Sequence, residues 1–141
     1  MSFLTSLKIA ASGLAAQRTR VDLATSNLAN AESTRGPDGQ PYKRLDPVLE
    51  AVPFDEVLGA ATSPGSAAVR VATVVEDQAP GRRLYSPGHP DADPDGFVTF
   101  PNVDPIHEVV NLMSASRSYE ANATAVETLK GMAQRALDIT R

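Results

Sequence analysis

The feature that most constrains this chain is its last stretch, residues 104–141, which carries Pro105 near its start and no proline after it. Small or apolar residues recur there every three or four positions: Val109, Leu112, Ser116, Tyr119, Ala123, Val126, Leu129, Ala133 and Leu137. That spacing lines one side of an α-helix. Asp104 followed by Pro105 supplies a start signal. The aspartate accepts from free amides of the first turn, and a proline there withholds no amide the helix needs. At about 1.5 Å per residue, a helix of about 36 residues is a rod of roughly 54 Å. A globule built from a 141-residue chain cannot cover such a rod, so it needs a second long helix beside it.

The other end of the chain offers one. Residues 1–31 contain no proline and a single glycine, Gly13, whereas all 11 prolines fall between Pro37 and Pro105. A heptad seam runs through Phe3, Leu7, Ala10, Leu14, Gln17, Val21, Ala24, Leu28 and Ala31, with Gln17 its one polar break. A weaker stripe follows Ile9, Ala16, Leu23 and Asn30 on another face. One partner helix covers only one of these stripes. Both are rich in alanine, which buries far less area than leucine and contributes correspondingly less. Two readings follow: an amphipathic core helix, or a helix packed by several neighbours in an assembly.

Between these ends lies a region rich in proline and glycine. Residues 31–41, with Gly36-Pro37 and Asp38-Gly39, carry turn chemistry that ends the first helix. Residues 42–54 have strand character, which Pro47 and Pro53 confine to a sheet edge. A short helical turn is expected over residues 55–61 and a flexible loop over 62–66. Residues 68–75 make the best strand, with Val69, Val71, Thr73 and Val75 on one side. Phe97-Val98-Thr99-Phe100 forms another. The expected fold is mainly α with a small β-rich insert. Residues 1–31 and 104–141 pair as a coiled coil, and residues 32–103 form the β-containing middle.

Charge and composition exclude several function classes. The net charge of −4 divides into +2 over residues 1–31, −5 over 32–103 and −1 over 104–141, with no basic patch, so nucleic acid is not an expected partner. There are no cysteines, hence no disulfide, thiol nucleophile or thiolate metal site. No apolar run approaches the roughly 18 residues of a membrane span. Met1-Ser2-Phe3-Leu4-Thr5-Ser6-Leu7-Lys8 lacks the basic leader and unbroken apolar core of a secretory signal, so any export is expected to proceed without one.

Candidate chemistry is sparse. Asp91-Ala92-Asp93-Pro94-Asp95-Gly96 matches the opening of a calcium loop, but the twelfth position is Asn102 rather than a bidentate glutamate. A solvated acidic turn closed by Arg82 or Arg83 is the alternative. His89 and His107 have no second nitrogen or sulfur ligand nearby in sequence. Neither a nucleophile elbow nor a glycine-rich phosphate loop occurs. No catalytic residue, cofactor or metal ligand is therefore assigned, and an enzyme is not expected. Arg117-Ser118-Tyr119-Glu120-Ala121-Asn122 interrupts the apolar stripe of the second helix. It is either a solvated face or an intersubunit contact in which Tyr119 and Asn122 fix register.

Ala11-Ser12-Gly13-Leu14-Ala15-Ala16-Gln17, followed by Ser26-Asn27-Leu28-Ala29-Asn30, resembles the N-terminal signature of bacterial flagellar axial proteins, the family of rod, hook and hook-associated subunits. Three further segments are similar, more narrowly, to proximal-rod members of that family. They are Val75-Glu76-Asp77 with Arg82-Arg83-Leu84-Tyr85-Ser86-Pro87-Gly88-His89-Pro90-Asp91-Ala92-Asp93, Phe97-Val98 with Pro101-Asn102-Val103, and the run from Val110-Asn111-Leu112-Met113 to Tyr119-Glu120-Ala121-Asn122. The resemblance implies a subunit of the basal-body rod, the periplasmic drive shaft that transmits motor torque. It implies export through the flagellar type III apparatus, and assembly with other rod proteins and copies of itself. The assembly interface would lie on the two helical seams together with Asn30 and Asn122. Outside the family, a cytoplasmic helical-hairpin adaptor and an export-linked needle or adhesin subunit remain the other readings. Helices that rely on neighbours for cover are expected to be largely disordered in the free chain and to order on assembly.

Overall fold

A computed structural model describes residues 3–53 and 67–139. Two long helices bracket four short strands: α1 (Phe3–Ala29), β1 (Leu45–Pro53), β2 (Ala67–Glu76), β3 (Arg82–Tyr85), β4 (Phe97–Phe100) and α2 (Pro105–Ile139). The expected turn over 55–61 and loop over 62–66 lie outside the described residues, as does Phe54.

α2 begins where the sequence places it. The Ile106 amide donates to the Asp104 carboxylate at 2.9 Å, and the Glu108 amide to the Asp104 carbonyl at 3.0 Å, so the cap satisfies amides the helix cannot. α1 closes with the Asn30 side-chain amide donating to the Ser26 carbonyl at 2.9 Å. The helices pack on each other in opposite directions, since Asn27 touches Glu108 near one end and Gly13 meets Asn122 further along.

Their shared seam differs from the one the largest apolar residues trace. Thr5, Ala16, Ala24 and Asn27 are buried on α1, and only Glu108 and Ala115 on α2. The physical reason is distance: a methyl group built on Gly13 would already stand 3.0 Å from the Asn122 side-chain nitrogen. Helices that approach so closely put their smallest residues between them and push leucines and valines to the flanks.

β1 and β2 form an antiparallel pair running from Leu45 opposite Glu76 to Pro53 opposite Ala67. With two strands, each is an edge, which is where Pro47 and Pro53 can be accommodated. The register shifts between Val48 and Leu49, whose partners are Thr73 and Val71, so Ala72 is an extra, bulged residue. The bulge overturns the expected sidedness of β2. Val69 and Val71 share a face with Val74, while Thr73 and Val75 turn to the other. The Val69 amide donates to Ser12 Oγ at 3.1 Å, laying the pair along α1.

β3 and β4 pair from Arg82 opposite Phe100 to Tyr85 opposite Phe97. The Tyr85 and Phe97 rings meet edge to face at 5.3 Å, a favourable geometry for aromatic quadrupoles. Val98 points inward and, with Val103, supplies the only buried valines among the described residues.

Candidate functional site

The most tightly built site lies where α1, α2 and the approach to β1 converge. Asn27 sits in the last turns of α1, Glu108 in the first turn of α2, and each is about 1% exposed. The Asn27 side chain acts as a short piece of backbone. Its oxygen accepts from the Leu45 amide and its nitrogen donates to the Leu45 carbonyl, both at 2.9 Å. The same oxygen accepts from the Tyr42 hydroxyl at 2.9 Å, and the same nitrogen donates to Glu108 Oε2 at 3.2 Å. Glu108 Oε1 accepts from Arg44 Nε at 2.7 Å and from the Asn111 amide at 3.4 Å. Arg44 also pairs with Asp46.

A carboxylate this deep requires a cation and filled lone pairs, because burying it unpaired costs several kcal/mol, on the order of the whole stability of some domains. Burial opposes the charge on Arg44. Its hydrogen bonds to Glu108 and Asp46 outweigh that penalty and hold the guanidinium above its ordinary value. A cleft of about 340 Å³ opens beside the node, bordered by Arg20, Arg44, Asp46, His107 and Asn111.

The acidic turn is occupied by its own chain. Asp91 accepts from Thr34 Oγ1 at 2.8 Å and pairs with Arg35 at 3.4 Å, tying the exit of α1 to the β3–β4 connection. Asp93 accepts from the Phe97 amide at 2.8 Å and from Arg83 at 2.6 Å. The Phe97 amide first, and Arg83 after it, hold the Asp93 carboxyl below its ordinary value, against a smaller opposing desolvation. Of the two arginines expected to close this turn, Arg83 does so, while Arg82 lies 5.9 Å over the Phe100 ring. Among the described residues no group of three or more His, Asp or Glu side chains is placed to hold a cation.

The residues read from the sequence as assembly positions fall into three sets. Ala24 is buried in the α1–α2 seam. Asn122 is half-buried within it, against Gly13, and Leu7, Ala10, Leu14, Gln17, Val21, Leu28, Asn30, Leu112, Ser116, Ala123, Val126, Leu129 and Ala133 are half-buried along its flanks. Phe3, Val109, Tyr119 and Leu137 are exposed. Gln17 accepts from Arg20 within its own helix at 3.0 Å rather than reaching α2. Sequence reasoning missed Asn27, Arg44 and Glu108. The signal available was the heptad spacing of Glu108, Ala115 and Asn122, which marks the inner face of α2.

Exposed apolar side chains cluster at the start of α2. Ile106, Val109, Val110 and Met113 follow the i, i+3, i+4, i+7 pattern of one helix face and all are exposed, Ile106 to 76%. By helical periodicity that face is opposite the one carrying Glu108 and Ala115.

Known proteins share this chain over nearly its whole length. Residues 7–37 match the family described as flagella basal body rod protein, and residues 95–139 match the flagellar basal body rod FlgEFG protein C-terminal family. The flagellar basal-body rod protein FlgC of Salmonella typhimurium is 48% identical over 139 residues, covering 99% of this chain and 98% of that one. The FlgC chains of Bacillus subtilis and Borreliella burgdorferi are 41% and 37% identical, each over 99% of this chain and at least 98% of their own. The chain belongs to the FlgC family of flagellar basal-body rod proteins. As a FlgC-family member it is a structural subunit of the flagellar basal body, assembling with other rod components. Both matched segments lie largely on the two long helices, and Asn27 and Glu108 fall one in each. Among the described residues no helix is long and apolar enough to cross a membrane.

Proposed function

We propose that this chain is a proximal-rod subunit whose paired terminal helices form the inner, coiled-coil layer of the tubular drive shaft. Residues 1–31 and 104–141 make up that layer and residues 32–103 an outer, β-containing part. The subunit reaches the periplasm through the flagellar type III apparatus, and cells need it for flagellum-dependent motility. Its work is mechanical: torque passes through many small helix–helix contacts rather than through a reacting group.

The observation that carries this reading is the open apolar face of α2, Ile106, Val109, Val110 and Met113, set opposite a seam that is already filled. One helix partner cannot cover both sides. Neighbouring subunits in a tube can, and each such residue contributes about 1.5–3 kcal/mol when fully buried. The half-buried flanks, including Val21 and Leu129, are the second set of contacts on this reading.

The test is incorporation. Val21→Asp and Leu129→Asp should each abolish recovery of the subunit in purified basal bodies, and abolish motility, while synthesis and export proceed. Motile cells carrying either substitution would refute the assignment of these flanks to assembly.

A further inference from the structure

The buried apolar side chains that α1 and α2 place between them are alanine methyls: Ala16 and Ala24 on one helix, Ala115 on the other. Such a seam is close-packed but buries little apolar area. The row through Ala10 and Ala24 is broken by Gln17, and Ala16 has Ile9 and Leu23 one heptad away, so a slip of seven residues alters the small-residue packing. It alters the polar node as well. In the observed register Asn27 faces Glu108 and, fourteen residues along each helix, Gly13 faces Asn122. A slip of one heptad in either direction takes Glu108, now about 1% exposed, away from Asn27: one direction sets it toward Arg20, the other past the end of α1.

The middle of the chain reads both helices at once. Tyr42, Arg44 and Leu45 are within four residues of one another. The Leu45 backbone and the Tyr42 hydroxyl hold Asn27 of α1, while the Arg44 guanidinium holds Glu108 of α2. We propose that this node is the register lock of the α1–α2 pair, with Arg44 and Glu108 as positioning residues that fix which heptad of α2 lies against which heptad of α1. A single buried polar contact that selects register at some cost in stability is a known use of such groups in helix pairs. Because an ion pair replaced by apolar side chains of similar size often leaves stability unchanged, selection of register can be separated from stability by experiment.

The absence of native cysteine makes disulfides a clean reporter. In the full-length chain, Gly13→Cys with Asn122→Cys reports the observed register, where the two side chains adjoin. Gly13→Cys with Ala115→Cys, or with Leu129→Cys, reports the two one-heptad slips. Both slip reporters also carry Asn122→Ser, so that the cysteine at position 13 has equal room. Effective thiol concentrations are measured in a glutathione redox buffer and normalised to the same chains in urea. The 13/122 pair should exceed both slip pairs by roughly tenfold or more. In the Arg44→Leu, Glu108→Leu background, helical circular dichroism should persist and the preference should fall to about threefold or less. An unchanged preference in that background would place register selection elsewhere. Loss of the helical signal would make the node a stability element instead, and either result overturns the proposal.

Discussion

Replacing Asn27 with alanine isolates the energetic weight of the node. The amide makes two bonds to the Leu45 backbone at 2.9 Å and one to the Glu108 carboxylate at 3.2 Å. Tyr42 keeps contact with Ser26 Oγ at 3.4 Å, and Glu108 keeps Arg44 and Asn111, so neither of those groups is orphaned. With about 1 kcal/mol for each of the two Leu45 bonds and about 1.5 for the charge-assisted one, the loss is about 3.5 kcal/mol. That corresponds to a more than hundredfold rise in local opening, at about 1.4 kcal/mol per tenfold. Hydrogen exchange on the isolated full-length chain reads it directly, at the Leu45 amide and at the last two turns of α1. Asn27→Asp serves as the chemical control. It retains acceptors for the Leu45 and Tyr42 donors but loses both donor bonds and sets a second carboxylate against Glu108. It should be at least as harmful as alanine at neutral pH and recover in part in acid, where a proton restores a donor. Exchange at Leu45 within threefold of the parent in Asn27→Ala would refute this account of the node.

The remaining predictions concern the acidic turn, the glycines and the helix ends. Because the Asp93 carboxyl titrates below its unfolded value, its contribution is complete above the ordinary carboxylate range and is lost only as pH falls through the lower folded value. Protection of the Phe97 amide should follow that profile, and Asp93→Asn should remove its acid step. A side chain on Gly81 would collide with the Phe100 carbonyl, and Gly96 has φ +82° with the Tyr85 ring 2.8 Å from a built Cβ. Gly81→Ala and Gly96→Ala should therefore weaken the near-ultraviolet signal of the Tyr85–Phe97 pair, the second by about 1–2 kcal/mol of backbone strain before any clash. Gly88→Ala, with nothing within 4 Å, should leave it intact. In the free chain, amides across residues 7–21 and 126–137 should show weak protection, as in a helix pair that opens often, and become strongly protected in assembled rods; strong protection there in the isolated chain would contradict dependence on neighbours.

Much of the architecture was legible because proline is so unevenly placed. The two proline-free ends became the two helices, Asp104 capped α2 as its position required, and the strand at residues 97–100 formed as read. Short-range chemistry also announced the Arg83–Asp93 closure. β3 was missed because Arg82-Arg83-Leu84-Tyr85 shows no alternation and draws its order from β4 and from ring contacts such as Arg83 over Phe97 at 4.9 Å. The Ala72 bulge has no local signature, since it follows from pairing with β1. Glu108 was the hardest to see. An acid in the first turn of a helix already has a sufficient explanation in the helix dipole, and the cation that buries it, Arg44, is 64 residues away. The seam was legible only in part. Ala24 and Ala31 of the heptad row and Ala16 of the weaker stripe are buried, whereas Asn27 and Glu108, being polar, carry no weight in an apolar pattern.

This inversion, with polar and small groups inside and apolar groups outside, makes physical sense only for a subunit. A self-sufficient domain of this length would bury its isoleucines, valines and methionines, because they contribute most per residue. Here the buried apolar residues of the described chain are four alanines and two valines. Ile106, Val110, Met113, Met132 and Leu137 all remain at least half exposed. On the proposed reading, the internal seam supplies orientation more than stability: it sets the two helices in one register and leaves the stronger hydrophobic contacts for neighbours to complete. A part shaped in that order can be weakly folded while alone, yet present the same geometry to each subunit that docks on it.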